Sequence, residues 1–469
     1  MTFNYDKTNK MSILEFSKKL LGKTLEEAVA PDVIDPKRGK GQLGQLVELY
    51  FFGIENNSRQ EADFPEAGLE LKVTPLKRLK DKTLAIKERL VCTMIDFTKD
   101  QTVPFEQSHV YLKCALMLIP FYLHEEGIPV HQLKFIYDVL WQIPDKDLLI
   151  MKQDYDIIIG KIRAGKAHEL SEGDTTYLGA CRKGQKGDSD VVYNLFDGTQ
   201  AAIPAPKRAF SLKSQYMRTI LDFAKKTGGL GTTNTSALVR GYGAMLMDES
   251  ELLDNSFENI LLNRLKPYYG KTYDELVQML GVPTSSAKSK YYLIANAILT
   301  EKGARGDDVR KSEEFQKSGI VIKTIRLNKN GRPAEAMSFE NINYFDILKE
   351  EDWYGSRLYE LFTERFFFIV FQEDENGNVR LKKAFFWTMP LKDLDDASAY
   401  WLNIKNAVTN NHIAPEYFYR ESDRRKFHVR PKGKNAADLT ENPNGGLAKK
   451  YCYWFNHDYI KRIIIDNTK

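Results

Sequence analysis

Apolar residues recur at helical spacing in some segments of the chain and form short dense runs in others. Two segments, 12–29 and 41–54, carry apolar side chains three or four positions apart and are predicted to be helices. Helices beside short mixed sheets indicate the α/β class in its mixed α+β form. The predicted strands are 69–73, 90–96, 114–121 and 365–371, the last of which is a nearly continuous run of Phe, Ile and Val.

Three short patterns occur twice in the same order, about 250 residues apart. Three weak matches in one order are much stronger than a single match, so the repeat indicates a divergent tandem duplication. The pairs are GKTLEEAV from Gly22 with GKTYDELV from Gly270, DFPEAGLELKVTPL from Asp63 with EFQKSGIVIKTIRL from Glu314, and EQSHVYLK from Glu106 with YGSRLYEL from Tyr354.

Both copies of the first pattern contain a capping box, in which a threonine and a glutamate three positions later begin a helix. The pairs are Thr24 with Glu27 and Thr272 with Glu275.

The duplication predicts two domains, as expected for 469 residues, because one core rarely organises more than about 250 residues. The glycine-rich segment TGGLGTTNTS supports a boundary in this region. The predicted domains are 1–225 and 256–469, joined by a linker over 226–255.

Composition excludes several classes of protein. Hydrophobic residues make up 42% and charged residues 28%, and no apolar run reaches the roughly 20 residues that span a bilayer. The first residues lack the layout of a secretory signal. Because the cysteines are scattered, a disulfide framework and a cysteine-rich zinc site are excluded, and a cytoplasmic location is expected. The cysteines are Cys92, Cys114, Cys181 and Cys452.

The net charge of +4 does not by itself indicate a nucleic-acid partner, but the basic residues are clustered. Such clusters are compatible with phosphate binding, although a solvated face is the commoner explanation. One cluster holds Lys77, Arg78, Lys80, Lys82, Lys87 and Arg89, and the other holds Arg420, Arg424, Arg425, Lys426, Arg430, Lys432 and Lys434.

The segment from Asp63 to Lys72 carries the candidate chemistry. On a strand, Glu70 and Lys72 project to one side, and Asp63 on the preceding turn can converge on them. Two carboxylates suit Mg²⁺, which polarises a phosphate and lowers the pKa of an attacking water, while the lysine offsets developing charge. The alternative is a solvated strand face with an ion pair.

Two further charged residues stand at apolar boundaries. Glu48 lies within QLVELYFFG, and Lys113 precedes CALMLIPFYL. An unpaired charge is costly in such places, so the acids and lysines are predicted to share one site.

The segments KGQLGQLVE, DFPEAGLELK and EQSHVYLK resemble the MutH family of mismatch-repair endonucleases and the Sau-type restriction endonucleases that cut at GATC. A fourth segment, KERLVCTMID, matches more loosely. The resemblance covers residues 22–220 and, more faintly, 255–469, and it implies Mg²⁺ held by Asp63 and Glu70. The implied catalytic residues are Glu48, Asp63, Glu70, Lys72 and Lys113.

The same alignment predicts that the second domain does not cut DNA. Glu314 and Lys323 stand opposite Asp63 and Lys72, but Val321 stands opposite Glu70. Leu361 stands opposite Lys113, and the position that corresponds to Glu48 falls near Ala295.

The resemblance also implies DNA contacts through an Arg-Pro-Lys loop, found in the second domain as Arg430 to Lys432, and through an aromatic residue that senses adenine. A basic solvent loop is the alternative. Because the first domain has serine at the aromatic position, we hypothesise that it tolerates adenine methylation. The implied DNA-binding residues are Arg182, Lys183 and Ser211 in the first domain, and Arg430, Lys432 and Tyr453 in the second.

The resemblance therefore leads us to expect a type II restriction endonuclease for GATC in double-stranded DNA. The second domain is expected to bind another copy of the site as an effector and to loop the DNA between them. With one centre per chain, cutting both strands needs two chains on the site or two successive nicks. The alternatives are a strand-nicking GATC repair endonuclease and a non-catalytic GATC-binding regulator.

Overall fold

The computed structural model describes residues 4–29, 34–35, 42–55, 61–79, 81–183, 190–227, 245–287, 289–301 and 308–467. The glycine-rich part of the predicted linker, 228–244, lies outside these ranges, as does Lys80 of the basic cluster. No helix within the described ranges combines the length and apolar character that crossing a lipid bilayer requires.

The chain forms two compact units. The first comprises Met1–Ser256 together with Arg310–Gly319, and the second comprises Phe257–Val309 with Ile320–Lys469. The short segment Arg310–Gly319 therefore belongs to the first unit, although the repeat places it in the second half of the sequence.

The first unit contains two sheets with helices beside them. Its helices are α1 (Lys10–Ser17), α2 (Leu25–Ala28), α3 (Leu43–Leu46), α4 (His109–Cys114), α5 (Asp145–Arg163), α6 (Ser214–Lys226), α7 (Glu249–Asp254) and α11 (Glu313–Ser318). Its strands are β1 (Glu70–Leu71), β2 (Thr74–Arg78), β3 (Leu84–Ile86), β4 (Leu90–Met94), β5 (Leu116–Leu123), β6 (Phe135–Gln142), β7 (Leu178–Arg182) and β8 (Arg208–Leu212).

Strand β5 is central to the larger sheet of the first unit. Strands β1 and β2 both run parallel to β5, β6 runs antiparallel to it, and β3 extends the sheet from β2. The smaller sheet has the order β4-β8-β7 and is antiparallel. The prediction of helices beside short mixed sheets is confirmed.

Both predicted N-terminal helices are interrupted. The predicted helix 12–29 is split into α1 and α2 at Gly22, whose φ of +75° is incompatible with helix continuation. The predicted helix 41–54 is α3 followed by a π-helical turn over Val47–Phe51. Such turns widen a helix by one residue and are frequent at functional sites.

The second unit has the same kinds of element. Its helices are α8 (Phe257–Leu265), α9 (Tyr273–Leu280), α10 (Lys290–Leu299), α12 (Tyr344–Lys349), α13 (Arg357–Phe362), α14 (Leu391–Thr409) and α15 (His457–Asp466). Its strands are β9 (Val321–Leu327), β10 (Met337–Asn341), β11 (Phe366–Glu373), β12 (Val379–Trp387), β13 (Phe427–Pro431), β14 (Leu439–Glu441), β15 (Leu447–Lys449) and β16 (Tyr451–Phe455).

The sheets of the second unit repeat those of the first. Strand β9 runs parallel to β11, which pairs antiparallel with β12, as β1, β5 and β6 do. The order β10-β16-β13 matches the order β4-β8-β7, and β14 with β15 forms an additional pair. The two larger sheets of this unit enclose a core rich in aromatic side chains.

Backbone hydrogen bonds show the repeat in detail. The amide of Gly22 donates to Phe135 O at 2.9 Å, and the amide of Gly270 donates to Leu381 O at 2.8 Å. Both glycines have positive φ, and each is followed by a helix with the predicted capping box. The prediction of a helix start at Thr24 and at Thr272 is confirmed.

A buried aspartate is repeated as well. Helices α5 and α14 have 19 residues each and are both preceded by proline. The third residue of each is a buried aspartate that accepts a tyrosine hydroxyl: Tyr216 donates to Asp147 at 2.8 Å, and Tyr459 donates to Asp393 at 2.9 Å. Packing details this specific are inherited together, which supports the duplication.

Candidate active site

The predicted acidic and basic residues of the first unit lie on neighbouring elements. Glu70 begins β1, and Lys72 is the first of the two residues that separate β1 from β2. Leu69 and Leu71 are buried in the core, whereas the side chains of Glu70 and Lys72 meet on the other side. The alternation predicted for this segment is confirmed.

Glu70 is the centre of the cluster and is 1% exposed. Lys72 Nζ donates to Glu70 Oε1 at 2.7 Å. Lys113 Nζ lies 3.1 Å from Oε1 and 3.3 Å from Oε2 of the same carboxylate. Ser108 begins α4 by accepting the amide of Tyr111, which sets the helix position from which Lys113 reaches the sheet.

A tight turn brings Asp63 back to Glu70. The turn ends at Gly68, whose φ of +60° glycine adopts without strain. The backbone amide of Asp63 donates to Glu70 Oε2 at 3.2 Å, and Asp63 Oδ2 accepts the amide of Leu71 at 2.9 Å. The backbone therefore holds the two carboxylates in fixed relation to each other.

Glu48 lies in the π-helical turn and belongs electrostatically to the same cluster. Burial raises the pKa of its carboxyl to about 7, and the neighbouring Asp63 carboxylate adds to this effect. Burial, and after it the Glu70 carboxylate, also raises the pKa of Asp63. Burial alone would lower the pKa of Lys72, but the Glu70 carboxylate outweighs it and the pKa is raised.

These residues fit a magnesium ion held by two carboxylates. Mg²⁺ usually binds one or two protein carboxylates and keeps several waters or substrate oxygens. Burial, and after it the neighbouring carboxylates, raises the pKa values of Glu48 and Asp63, and a divalent cation would offset the crowded negative charge. A site with three or more His, Cys, Asp or Glu ligands is not found in the described part of the chain. Asp63 and Glu70 are the residues that would hold Mg²⁺.

The matching place in the second unit has lost this arrangement. Val321 begins β9 as Glu70 begins β1, and it packs against the apolar core. Leu361 stands on α13 where Lys113 stands on α4, because Ser356 caps α13 as Ser108 caps α4.

The remaining predicted acid is engaged elsewhere. Glu314 is fully buried in the first unit, where its carboxylate binds Lys146 Nζ at 2.5 Å and the amide of Leu246 at 3.0 Å.

The predicted DNA contacts of the first unit fall at the end of the small sheet. Arg182 ends β7 and is exposed, and Lys183 follows it. Residues 184–189 of the same loop lie outside the described ranges. Ser211 is 2% exposed on β8 and pairs with Gly179. Its hydroxyl therefore lacks the surface position that a direct base contact requires, which differs from the prediction.

The second unit separates its predicted DNA residues onto two faces. Arg430 is exposed on β13, and Lys432 follows this strand. Tyr453 is 3% exposed and lies in the core against Tyr400, so the predicted base contact by Tyr453 also differs from the structure. The physical reason is strand alternation: Tyr453 and its neighbour Trp454 point to opposite sides of the sheet.

Trp454 occupies the face on which Arg430 and Lys432 lie. The Arg430 guanidinium lies 4.8 Å from the ring of Trp454, and Lys432 Nζ lies 5.7 Å from it. Trp454 stands two residues before the N-cap of α15, and Ser211 stands two residues before the N-cap of α6. The structural counterpart of Ser211 is therefore Trp454. Alternation in YCYWF is the sequence signal that separates Trp454 from Tyr453.

Comparisons with known proteins identify related DNA endonucleases. The sequence model of the family described as DNA mismatch repair enzyme MutH matches residues 52–154. The type II restriction enzyme Sau3AI of Staphylococcus aureus is 32% identical over 97% of this chain and 98% of its own length. The DNA mismatch repair protein MutH of Shewanella amazonensis is 30% identical over 45% of this chain and 92% of its own length. The similarity to Sau3AI therefore spans both units.

The fold, the cluster and these similarities define the class of the protein: it is a DNA endonuclease with the MutH-like fold. The chain belongs to the family of type II restriction endonucleases that includes Sau3AI. The prediction of tandem MutH-like domains, the second divergent, is confirmed at the level of the family and the fold.

Proposed function

We propose that this chain hydrolyses double-stranded DNA at GATC, with Mg²⁺, in its N-terminal domain of residues 1–225. The observation that carries the proposal is the convergence of Asp63, Lys72 and Lys113 on the buried carboxylate of Glu70. GATC as the site comes from the family resemblance of the sequence motifs. The proposed catalytic residues are Glu48, Asp63, Glu70, Lys72 and Lys113.

Each side chain has a separate task in this reaction. Glu70 is fixed by two ammonium groups and one backbone amide, so it keeps its place when substrate enters. Asp63 and Glu70 would hold Mg²⁺, which would polarise the scissile phosphate and lower the pKa of the attacking water. Lys72 orients that water and offsets charge that develops on the phosphate oxygens.

The bond changes are those of phosphodiester hydrolysis. The oxygen of water forms a bond to phosphorus while the bond from phosphorus to one flanking sugar oxygen breaks. That sugar oxygen gains a proton, and the phosphate stays on the other sugar. Lys113 holds Glu70 from the helix side and keeps positive charge beside the reacting phosphate.

The C-terminal domain of residues 256–469 is proposed to bind a second GATC copy as an effector without cutting it. Val321 and Leu361 at the positions of Glu70 and Lys113 support the loss of cleavage. Arg430, Lys432 and Trp454 on one face support retained DNA binding. In the first domain, Arg182 and Lys183 are proposed to contact the cleaved site.

Digestion of an unmethylated plasmid with several GATC sites in Mg²⁺ tests the function. Asp63→Ala should reduce cleavage by at least about 100-fold, because the site loses a metal ligand. Glu66→Ala is the matched control, since Glu66 is exposed on the same turn, and it should cut as wild type does.

The products distinguish the alternatives. Discrete double-strand fragments that end at GATC support restriction. Nicked circles alone would favour a strand-nicking repair endonuclease. Intact DNA under conditions where the protein binds GATC would contradict cleavage and favour a non-catalytic regulator.

A further inference from the structure

Lys323, on the inward side of β9, forms no ion pair with any carboxylate of the described residues. Lys323 stands between Val321 and Ile325, whose side chains pack in or against the core of the second unit. Its Nζ donates to the backbone oxygen of Ser338 at 3.1 Å and lies 4.7 Å from the ring of Phe339. Within the described ranges, no carboxylate forms an ion pair with this ammonium group.

A second ammonium group reaches the same place from β13. Lys432 Nζ donates to Ser338 Oγ at 2.8 Å and to Phe339 O at 3.2 Å. Ser338 thus accepts hydrogen bonds from Lys323 and from Lys432. Two like charges are held against one residue, and their hydrogen-bond acceptors among the described residues are neutral oxygens.

This arrangement is unfavourable for the isolated protein. Burial, and after it the charge of Lys432, lowers the pKa of Lys323 to about 8. An apolar residue at this position would avoid the cost of a buried charge, and replacing such charges by apolar residues is often neutral or stabilising. A negatively charged ligand would offset both ammonium groups.

Comparison with the first unit indicates where such a ligand binds. There, Lys72 is held by Glu70, and the same centre is proposed to receive the scissile phosphate. In the second unit Val321 stands at the position of Glu70, so Lys323 keeps its place without its carboxylate. Arg430 and Trp454 beside Lys432 favour DNA as the source of the anion, because guanidinium groups and aromatic rings both bind nucleic acid.

We propose that Lys323 and Lys432 bind a backbone phosphate of the DNA on the second unit, and that they do so without a metal ion. The former catalytic centre thereby becomes a phosphate-binding site. This inference rests on the proposed function, because it requires DNA on the second unit.

The first test measures binding of GATC duplexes to the full chain in EDTA, where cleavage is prevented. Wild type should bind two duplexes per chain. Lys323→Met should bind the duplex on the second unit about 10-fold more weakly than wild type. For that duplex, the slope of log affinity against log salt should be smaller by about 0.9. The preference for GATC over other duplexes should stay the same, because a phosphate contact carries no base information.

Lys382→Met is the charge-matched control. Lys382 is exposed on β12, in the same sheet as Lys323, and its Nζ contacts Gln372. This variant loses the same charge and should keep both the affinity and the salt slope of wild type.

Thermal unfolding distinguishes a binding role from a structural one. Lys323→Met should unfold at the same temperature as wild type or a higher one, because a buried unpaired charge is removed. A large decrease in unfolding temperature would assign the lysine to folding and overturn the proposal.

A pH series gives a second readout. The phosphate should raise the pKa of Lys323 above its value near 8, so binding at pH 9 requires proton uptake whereas binding at pH 7 does not. Affinity for the second duplex should fall about 10-fold between pH 7 and pH 9 in wild type and remain flatter in Lys323→Met. The groups that face Lys323 are Lys432, Cys452 and Glu364, and the pKa of the Cys452 thiol is raised by burial.

The outcomes separate the two proposals. A wild-type chain that binds a single duplex contradicts the effector function, whatever Lys323 does. If Lys323→Met and Lys382→Met both bind two duplexes with the same affinity and the same salt slope, the phosphate site is contradicted, whereas the effector function is not. If millimolar inorganic phosphate stabilises wild type but not Lys323→Met, and DNA affinity is the same in both, the ligand is free phosphate and the DNA assignment is wrong.

Discussion

At the scale of single residues, the two units use the same positions for different chemistry. Glu70 is a carboxylate between two ammonium groups, whereas Lys323, with Val321 at the matching position, donates to the backbone oxygen of Ser338. Valine in place of glutamate therefore removes both a proposed metal ligand and the partner of a buried lysine. The charge that remains is positive, which favours binding of a phosphate over binding of a cation.

His428 is a second buried ionisable residue of the proposed DNA-binding face. It is 0% exposed, stacks on Trp454, and has no hydrogen-bond partner for either ring nitrogen within the described residues. Burial lowers its pKa to about 4; Glu421 acts in the opposite direction, and Arg430 and His457 add to the lowering.

Acid should therefore destabilise the second unit through His428. The pKa of His428 is lower in the folded chain than in the unfolded chain, so the unfolded chain binds the proton more readily. The free energy of unfolding therefore decreases as the pH falls from 6.5 to 4. The total decrease over this window is about 3 kcal/mol. Urea unfolding at pH 7 and pH 4.5 should show a smaller loss for His428→Phe than for wild type. The exposed His412→Phe serves as control, and equal losses in all three proteins would refute the prediction.

At the scale of elements, a turn before the first strand of each unit was duplicated and then used differently. Gly68 and Gly319 both end a short helix with positive φ. Beyond Gly68 there is open space, whereas a Cβ on Gly319 would lie 2.7 Å from Gln215 Cγ. Helix α11, which Gly319 ends, packs on α6 within the first unit.

Alanine at these two glycines should therefore have unequal effects. Gly68→Ala should cost about 1 kcal/mol of unfolding free energy, which is the penalty of the left-handed conformation. Gly319→Ala should cost more, because Gln215 must also move. Adding Gln215→Ala to Gly319→Ala should recover the excess, since the close contact is with Cγ. Urea denaturation of the four proteins measures this, and equal costs at Gly68 and Gly319 would contradict the steric argument.

A buried charge network also holds α11 in the first unit. Lys317 Nζ donates to Asp147 Oδ2 at 2.7 Å and contacts Glu313 on its own helix. Glu314 binds Lys146 at 2.5 Å. Removing one member of such a network leaves an uncompensated buried charge, which typically costs about 3–5 kcal/mol. The acid expected to survive in the second centre is thus a structural group of the first unit.

At the scale of the whole molecule, duplication provides one proposed cutting centre and two proposed DNA-binding surfaces in one chain. The two units repeat the parallel pair of strands beside an antiparallel neighbour, the capping boxes and the buried aspartate with its tyrosine. The similarity to Sau3AI, at 32% identity, covers 97% of this chain and 98% of Sau3AI, so it includes both units.

The effector proposal predicts that the number of sites controls the rate. A plasmid with two GATC sites should be cut faster than one with a single site, because the second unit binds the additional copy while the first unit cuts. A short GATC duplex added in trans should accelerate cutting of the single-site plasmid, and a scrambled duplex should not. Equal rates for both plasmids over a range of enzyme concentrations would contradict the proposal.

Sequence alone determined the elements of this protein that depend on local pattern. The alternation Glu70-Leu71-Lys72 fixed which side chains face the core, because side chains on a strand alternate. The capping boxes fixed two helix starts for the same kind of local reason. The motifs together identified the nuclease family.

Tertiary structure decided the features that depend on distant neighbours. Segment Arg310–Gly319 joins the first unit because Lys146 and Asp147 supply partners for its charges, which no local pattern reveals. Strand alternation separates Tyr453 from Trp454, but pairing with strands far apart in the chain decides that Tyr453 is the one that faces the core. The burial of Ser211 also follows from such pairing. Long-range pairing also brought Lys432 to Ser338 beside Lys323, because these side chains meet only when two sheets pack around one core.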